Sequence, residues 1–169
     1  TIDDIRSALT KLRENVPDIA LRTSLIVGFP GETEEDFQQL VDFVEEFRFD
    51  RLGVFTYSKE EGTPAAKMKG QIRKNVKLSR QKTILELQNT ISSEINAKRV
   101  GKVYKAIVDG IADDGIFYYG RTFAEAPEID GTVYFTSPEP LDIGSFVLIK
   151  ILNSEDYDLI GEVINELTK

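Results

Sequence analysis

Apolar positions recur along this chain with two different periods, and the change from one to the other divides it. In "DDIRSALTKLRENV" (3–16), Ile5, Ala8, Leu9, Leu12 and Val16 form one helical stripe, which Pro17 ends. Segment 19–29, "IALRTSLIVGF", is short, nearly continuous and apolar, the pattern of a buried strand. "TEEDFQQLVDFVEEF" (33–47) returns to helical spacing, with Phe37, Leu40, Val41, Val44 and Phe47 on its core face. "RLGVFTYS" (51–58) reads as a second strand. The order α-β-α-β predicts a parallel sheet with right-handed crossovers. Parallel sheets are buried on both faces, so two strands do not suffice, and the partner strands are expected upstream of Thr1.

A loop follows at 62–72, opened by Thr63-Pro64. Residues 76–99 read as one long helix with a narrow stripe of Ile84, Leu87, Ile91 and Ile95, as a connecting helix leaning on one surface would have. From Gly101 the period becomes two. "KVYKAIVDGI", "GIFYYGRTF", "GTVYFT", "SFVLIKIL" and "YDLIGEVI" give five short strands punctuated by Gly and Asp-Gly turns. Five short antiparallel strands in so short a stretch predict a small OB-like barrel. The predicted fold class is α/β, with parallel strands, followed by an all-β barrel. The boundaries are 1–75, a connecting helix at 76–100, and 101–169.

Composition narrows the chemistry. There are no cysteines and no histidines, which removes thiolate nucleophiles, imidazole bases and the common zinc sites from these residues. No catalytic residue and no metal ligand is therefore assigned. The net charge of −8 is uneven. Residues 101–169 hold thirteen acids against five cations (Lys102, Lys105, Arg121, Lys150 and Lys169), and residues 1–100 hold sixteen of each. Nucleic-acid affinity rests largely on Lys and Arg, so RNA is the weaker partner and a basic protein surface the better one; solubility alone would also account for the acids. No apolar run approaches the roughly 20 residues that span a bilayer, and no membrane partner is expected. The chain opens on Thr1 rather than Met, and it is expected to be part of something longer.

The stretch "LIVGFPGETEEDF" (25–37) combines a glycine turn at a strand's carboxyl end with an acidic helix start. Thr33 and Asp36 fit a capping arrangement, with Asp where Glu or Gln is usual. Glu34 and Glu35 sit where the helix dipole favours acids. Those charges would repel phosphate, and the GxxxxGK[ST] pattern is absent. Gly28 and Gly31 leave a backbone without bulk where α/β folds bind ligands, although Gly-Pro-Gly also makes a plain tight turn. Ile26 and Phe29 add apolar surface. Glu32 either completes the cap or touches a ligand, the cap being the simpler reading.

"IVGFPGETEEDF" (26–37) resembles the fifth-strand motif of the radical S-adenosylmethionine enzymes, and "RFDRLGVFTYSKEEGTPAAKM" (48–68) the next strand and loop of their methylthiotransferase branch. The tail from Gly101 resembles a TRAM domain. "GRTFAEAPEIDG" (120–131) and "DYDLIGE" (156–162) are similar to those methylthiotransferases that modify an aspartate of a ribosomal protein. The resemblance implies the end of a TIM-like half-barrel at 1–75 and a TRAM domain at 101–169. It implies that Gly28, Phe29, Pro30, Gly31, Val54, Phe55 and Tyr57 flank the adenosine of S-adenosylmethionine. Phe55 and Tyr57 would share one face by alternation, although either reads equally well as core. The family carries two 4Fe–4S clusters, and the cysteines that hold them are absent here. The parent is thus expected to be a cytoplasmic transferase that adds a methylthio group to the β-carbon of an aspartate, and this piece alone to be inactive. Two other readings stand beside it. One is the sibling class acting on a transfer-RNA adenosine. The other is a non-catalytic interaction module using Phe117, Tyr118, Tyr119 and Phe123, about half of which alternation assigns to the core. Strand 23–28, lacking its neighbour, is expected to self-associate through its edge.

Overall fold

A computed structural model describes residues 1–167. The chain divides into two compact units, Thr1–Gln88 and Asn89–Lys169. The first holds α1 (Ile2–Asn15), β1 (Arg22–Val27), α2 (Glu34–Phe47) and β2 (Arg51–Thr56). A single 3-10 turn, Ala65–Lys67, precedes α3 (Lys74–Ala97), and the division between units falls within that helix.

β1 and β2 pair in parallel, Arg22 with Arg51 through Val27 with Thr56. Residues paired across a parallel ladder share a face, so Leu25, Val27, Leu52 and Val54 lie on one side and Ser24, Ile26, Gly53 and Phe55 on the other. The first side is covered. Leu9 of α1 and Phe43 and Phe47 of α2 pack with Leu21, Phe49 and Leu52, and Val27 and Val54 are buried. The second side is open, with Ile26 58% and Phe55 59% exposed.

The two edges of this sheet are treated differently. Among the described residues β1 has one strand partner, β2. The carbonyls along and beside β2 are met by side chains of α3. Gln88 donates to the Phe49 carbonyl at 2.8 Å, Gln81 to Val54 at 2.7 Å and Lys77 to Tyr57 at 2.7 Å. These donors lie at i, i+4 and i+11 of the helix, beside the fully buried Ile84. The buried stripe of α3 is thus not the narrow apolar one expected, because Arg80, Gln88, Ser92 and Asn96 are buried along with Ile84 and Ile91.

The second unit is a closed barrel in the order β3 (Val103–Ile111), β4 (Tyr118–Arg121), β5 (Val133–Thr136), β7 (Leu159–Leu167) and β6 (Phe146–Ser154), with β6 pairing back to β3. The five strands expected are present, but one ladder differs: β5 and β7 run parallel, Val133 beside Leu159. Alternation fixes a core of Val108, Phe135, Val147, Ile149, Ile151 and Leu159. Gly120 is required for closure, since a Cβ there would stand 2.0 Å from the Ile107 carbonyl oxygen.

At the entry to the barrel, Arg99 donates to Glu125 at 2.5 Å and to the Thr122 hydroxyl at 2.9 Å, and its guanidinium lies over Tyr104. Glu125 also accepts from the Thr122 backbone and is 6% exposed. Burial alone would raise its carboxyl, but Arg99 and Thr122 outweigh that and hold it below the ordinary range. Removing one member leaves the other charged and buried, so Arg99→Met should cost the barrel about 3–5 kcal/mol, read from the denaturant midpoint. A depressed carboxylate stabilises the fold above its unfolded value of about 4.3. That contribution vanishes as pH falls through the lower folded value. Melting temperature should therefore drop more steeply with acid in the native protein than in Glu125→Gln.

Candidate functional site

The carboxyl end of β1 runs directly into Gly28-Phe29-Pro30-Gly31, and both glycines take positive φ, +73° and +88°. Glu32, two residues before α2, and Arg80 of α3 fix this turn. The Gly28 N–H donates to both carboxylate oxygens of Glu32, at 2.9 and 3.0 Å. Glu32 in turn accepts from Arg80 at 2.5 Å. The same guanidinium reaches the Thr33 carbonyl at 3.2 Å and Glu34 at 2.9 Å, and lies over the Phe37 ring. Glu32 therefore does not complete the cap. Thr33 and Asp36 do so unaided, in a reciprocal capping box of 3.1 and 2.8 Å. The Asp36 carboxyl is held below its ordinary range by the Thr33 backbone and hydroxyl.

The remaining candidates gather around this turn, with one exception. Phe29 is 44% exposed and meets the Tyr57 ring edge-on, centroids 5.3 Å apart. Pro30 is buried and Gly31 exposed, its N–H donating to the Gly70 carbonyl at 3.0 Å, so the 62–72 loop folds back onto the turn. Tyr57 lies one residue beyond β2, half-buried, under the Lys77 ammonium at 4.7 Å. Its hydroxyl is buried without a hydrogen-bond partner among the described residues. Phe55 stands on the open face and leans over Gly53, where a Cβ would lie 3.4 Å from its ring. The exception is Val54, which is buried on the opposite side of the sheet, among the core.

These features suit a flat, largely apolar ligand with few polar edges. Ile26, Phe29 and Phe55 offer apolar surface, and the turn offers backbone without bulk. A phosphate, close to the carboxylates of Glu32, Glu34 and Glu35, suits it less well. Among the described residues no cluster of His, Cys, Asp or Glu could hold a metal ion. Lys77, Arg80, Gln81 and Gln88 were not legible as part of this site, although Lys77, Gln81, Ile84 and Gln88 share one helical face.

On the barrel, a cavity of about 460 Å³ is lined by Asp109, Tyr119, Arg121, Glu128 and Asp130 with adjoining backbone. Arg121 is paired with Asp109 at 3.0 Å. The other cations described there differ in position: Lys105 and Lys150 lie on the outer face of β3 and β6, and Lys102 just precedes β3; Lys169 lies outside the described residues. The expected aromatic string splits as alternation requires. Tyr118 stacks inward on Phe135 and its hydroxyl accepts from Leu141, Phe117 is half-buried, and Tyr119 and Phe123 are exposed.

A Cβ on Gly28 would lie 2.4 Å from Lys77 Cγ, whereas one on Gly31 would meet nothing within 4 Å. Gly31→Ala should thus lose only the cost of its left-handed backbone, about 1–2 kcal/mol. Gly28→Ala should lose more, and Lys77→Ala should cost less in the Gly28→Ala background than in the native protein, because it also removes the clash. Denaturant unfolding of the first unit measures both.

A family model for the TRAM domain matches residues 100–164. Over all 169 residues the chain is 63% identical to the ribosomal protein uS12 methylthiotransferase RimO of Acetivibrio thermocellus. It is 52% identical over 166 residues to the protein of that name from Clostridium acetobutylicum, and 50% over 169 to that of Clostridium botulinum strain Loch Maree. These alignments cover 98–100% of this chain but only 37–38% of each relative, so the chain spans little more than a third of the length of the curated relatives it matches. Over its whole length the chain is thus similar to the carboxyl-terminal part of proteins named ribosomal protein uS12 methylthiotransferase RimO, and its residues 100–164 match the TRAM domain.

Proposed function

We propose that residues 1–75 are the closing part of a radical S-adenosylmethionine half-barrel and that the turn after β1 receives the adenosine of that cofactor. The observation that carries this reading is the asymmetry of the β1–β2 sheet. Its β2 side is closed by α3, while its β1 edge and the Ile26–Phe55 face are open. A sheet so built extends in one direction only, and the open face is the one that would line a barrel interior. Gly28, Phe29, Pro30, Gly31, Phe55 and Tyr57 would bind and orient the adenosine, and Val54 would support the strand from beneath. S-adenosylmethionine, with the two 4Fe–4S clusters held elsewhere in the parent, supplies the radical chemistry and the transferred group. The chain has no cysteine to hold either cluster, and alone it is inactive.

The parent is, on this reading, a cytoplasmic transferase that adds a methylthio group to the β-carbon of an aspartate in a small-subunit ribosomal protein. The acidic barrel would draw in that basic substrate, with Asp109, Glu128 and Asp130 presenting their charge in one concavity. The sibling reading, a transfer-RNA adenosine as substrate, is disfavoured because Arg121 is paired and few cations remain. The non-catalytic reading would leave the cofactor turn without a task.

The full-length protein, reconstituted with its clusters, should place a methylthio group on an aspartate of the ribosomal protein and leave transfer RNA unmodified, as read by peptide and nucleoside mass spectrometry. The opposite result would reverse the assignment. Raising salt should weaken binding of the ribosomal protein, and Glu128→Lys should slow association by about threefold to tenfold, since surface charge acts chiefly on encounter. The isolated chain should self-associate through the β1 edge; a strictly monomeric sedimentation profile at high concentration contradicts this.

A further inference from the structure

We infer that Arg80, acting through Glu32, is the positioning residue of the adenosine-facing turn, with Lys77 as its second support. The inference rests on the adenosine reading of that turn. At the end of β1 the Gly28 N–H points to no strand and is claimed by the Glu32 carboxylate. That carboxylate is only 11% exposed, and a carboxylate so buried needs a cation. Arg80, 7% exposed itself, supplies it. One planar guanidinium spans Glu32 Oε1, Glu34 Oε2 and the carbonyls of Glu32 and Thr33, a set of acceptors that a lysine ammonium cannot cover from one position.

Lys77 lies one turn earlier on the same face of α3. Its stem fills the space a side chain at Gly28 would take, and its ammonium donates to the Tyr57 carbonyl while lying over the Tyr57 ring. Tyr57 in turn meets Phe29. The turn is therefore tied at two points, Gly28 through Glu32 to Arg80 and Phe29 through Tyr57 to Lys77. Both ties lead to one helix. Both terminal nitrogens of Arg80 are engaged within the protein, so it acts on the ligand only by fixing the backbone that the ligand meets.

The test uses the full-length protein with S-adenosylhomocysteine, a non-reacting analogue. Calorimetry gives affinity, and hydrogen exchange of peptides spanning 25–33 gives the protection of the turn. Arg80→Met should speed exchange at Gly28 and raise Kd about tenfold or more, because small misplacements of a binding group carry large costs. Arg80→Lys should restore little of this, since the fork and not the charge alone is required. Lys77→Met, which keeps the stem, should give a smaller rise in both. Melting of the barrel should be unchanged in all three. Faster exchange with native affinity would make Arg80 merely structural and overturn the inference, as would unchanged exchange. Failure of the native protein to bind the analogue would instead overturn the adenosine reading. If Arg80→Met does not fold, Glu32→Gln, which keeps an acceptor for Gly28 but removes the charge that Arg80 answers, should show the same paired changes in milder form; native behaviour there refutes the inference.

Discussion

A strand has two edges, and in the first unit everything follows from how differently they are met. Backbone carbonyls left unpaired in a buried place cost about 1–3 kcal/mol each, and among the described residues β2 has no second strand to take its own. Gln88, Gln81 and Lys77 take them instead, at 2.7–2.8 Å. This explains why a helix that reads as a modest apolar stripe buries so many polar groups. A stripe of leucines would cover the edge with grease and leave the carbonyls unanswered. Once α3 is committed to that edge, its next inward residue, Arg80, faces the start of α2, and the turn between β1 and α2 acquires its clamp.

The barrel solves the same problem without help. Closing β3-β4-β5-β7-β6 on itself leaves no edge to cover, and side chains suffice to fill the interior. Its remaining difficulty is a buried guanidinium at the entrance, answered by Glu125 and Thr122. The contrast between the units is physical: one is finished at all its edges, and the other is finished at one and open at the next.

Much of this was legible in the sequence because periodicity reports burial directly. The helices and strands fall where the 3.6- and 2-residue periods place them, to within a few residues at the ends. The capping box of α2 was legible because it is local, three residues apart. What could not be read was non-local. The bond between Arg80 and Glu32 joins residues 48 apart, and no spacing rule connects them. The parallel ladder between β5 and β7 is likewise a matter of topology, since alternation within a strand is blind to the direction of its neighbour. Val54 and Phe55 show the limit at the site itself. A motif names both, but adjacent residues on a strand face opposite ways, and only Phe55 stands on the open side.

The acids after the turn each have their own role. Asp36 caps the helix, Glu34 receives the second arm of Arg80, and Glu32 bridges Arg80 to the Gly28 amide. Glu35 sits in the first turn, where the helix dipole favours an acid. A helix start preceded by glycines would ordinarily offer its free N–H groups to an anion. Here the Gly28, Thr33 and Asp36 amides are already bonded to the protein's own side chains. On the adenosine reading proposed above, the base and sugar of a nucleoside would be the part that this bare backbone meets. On that reading an adenosine carrying a sulfonium group, cationic where a nucleotide would be anionic, would meet no repulsion from the acids that follow the turn.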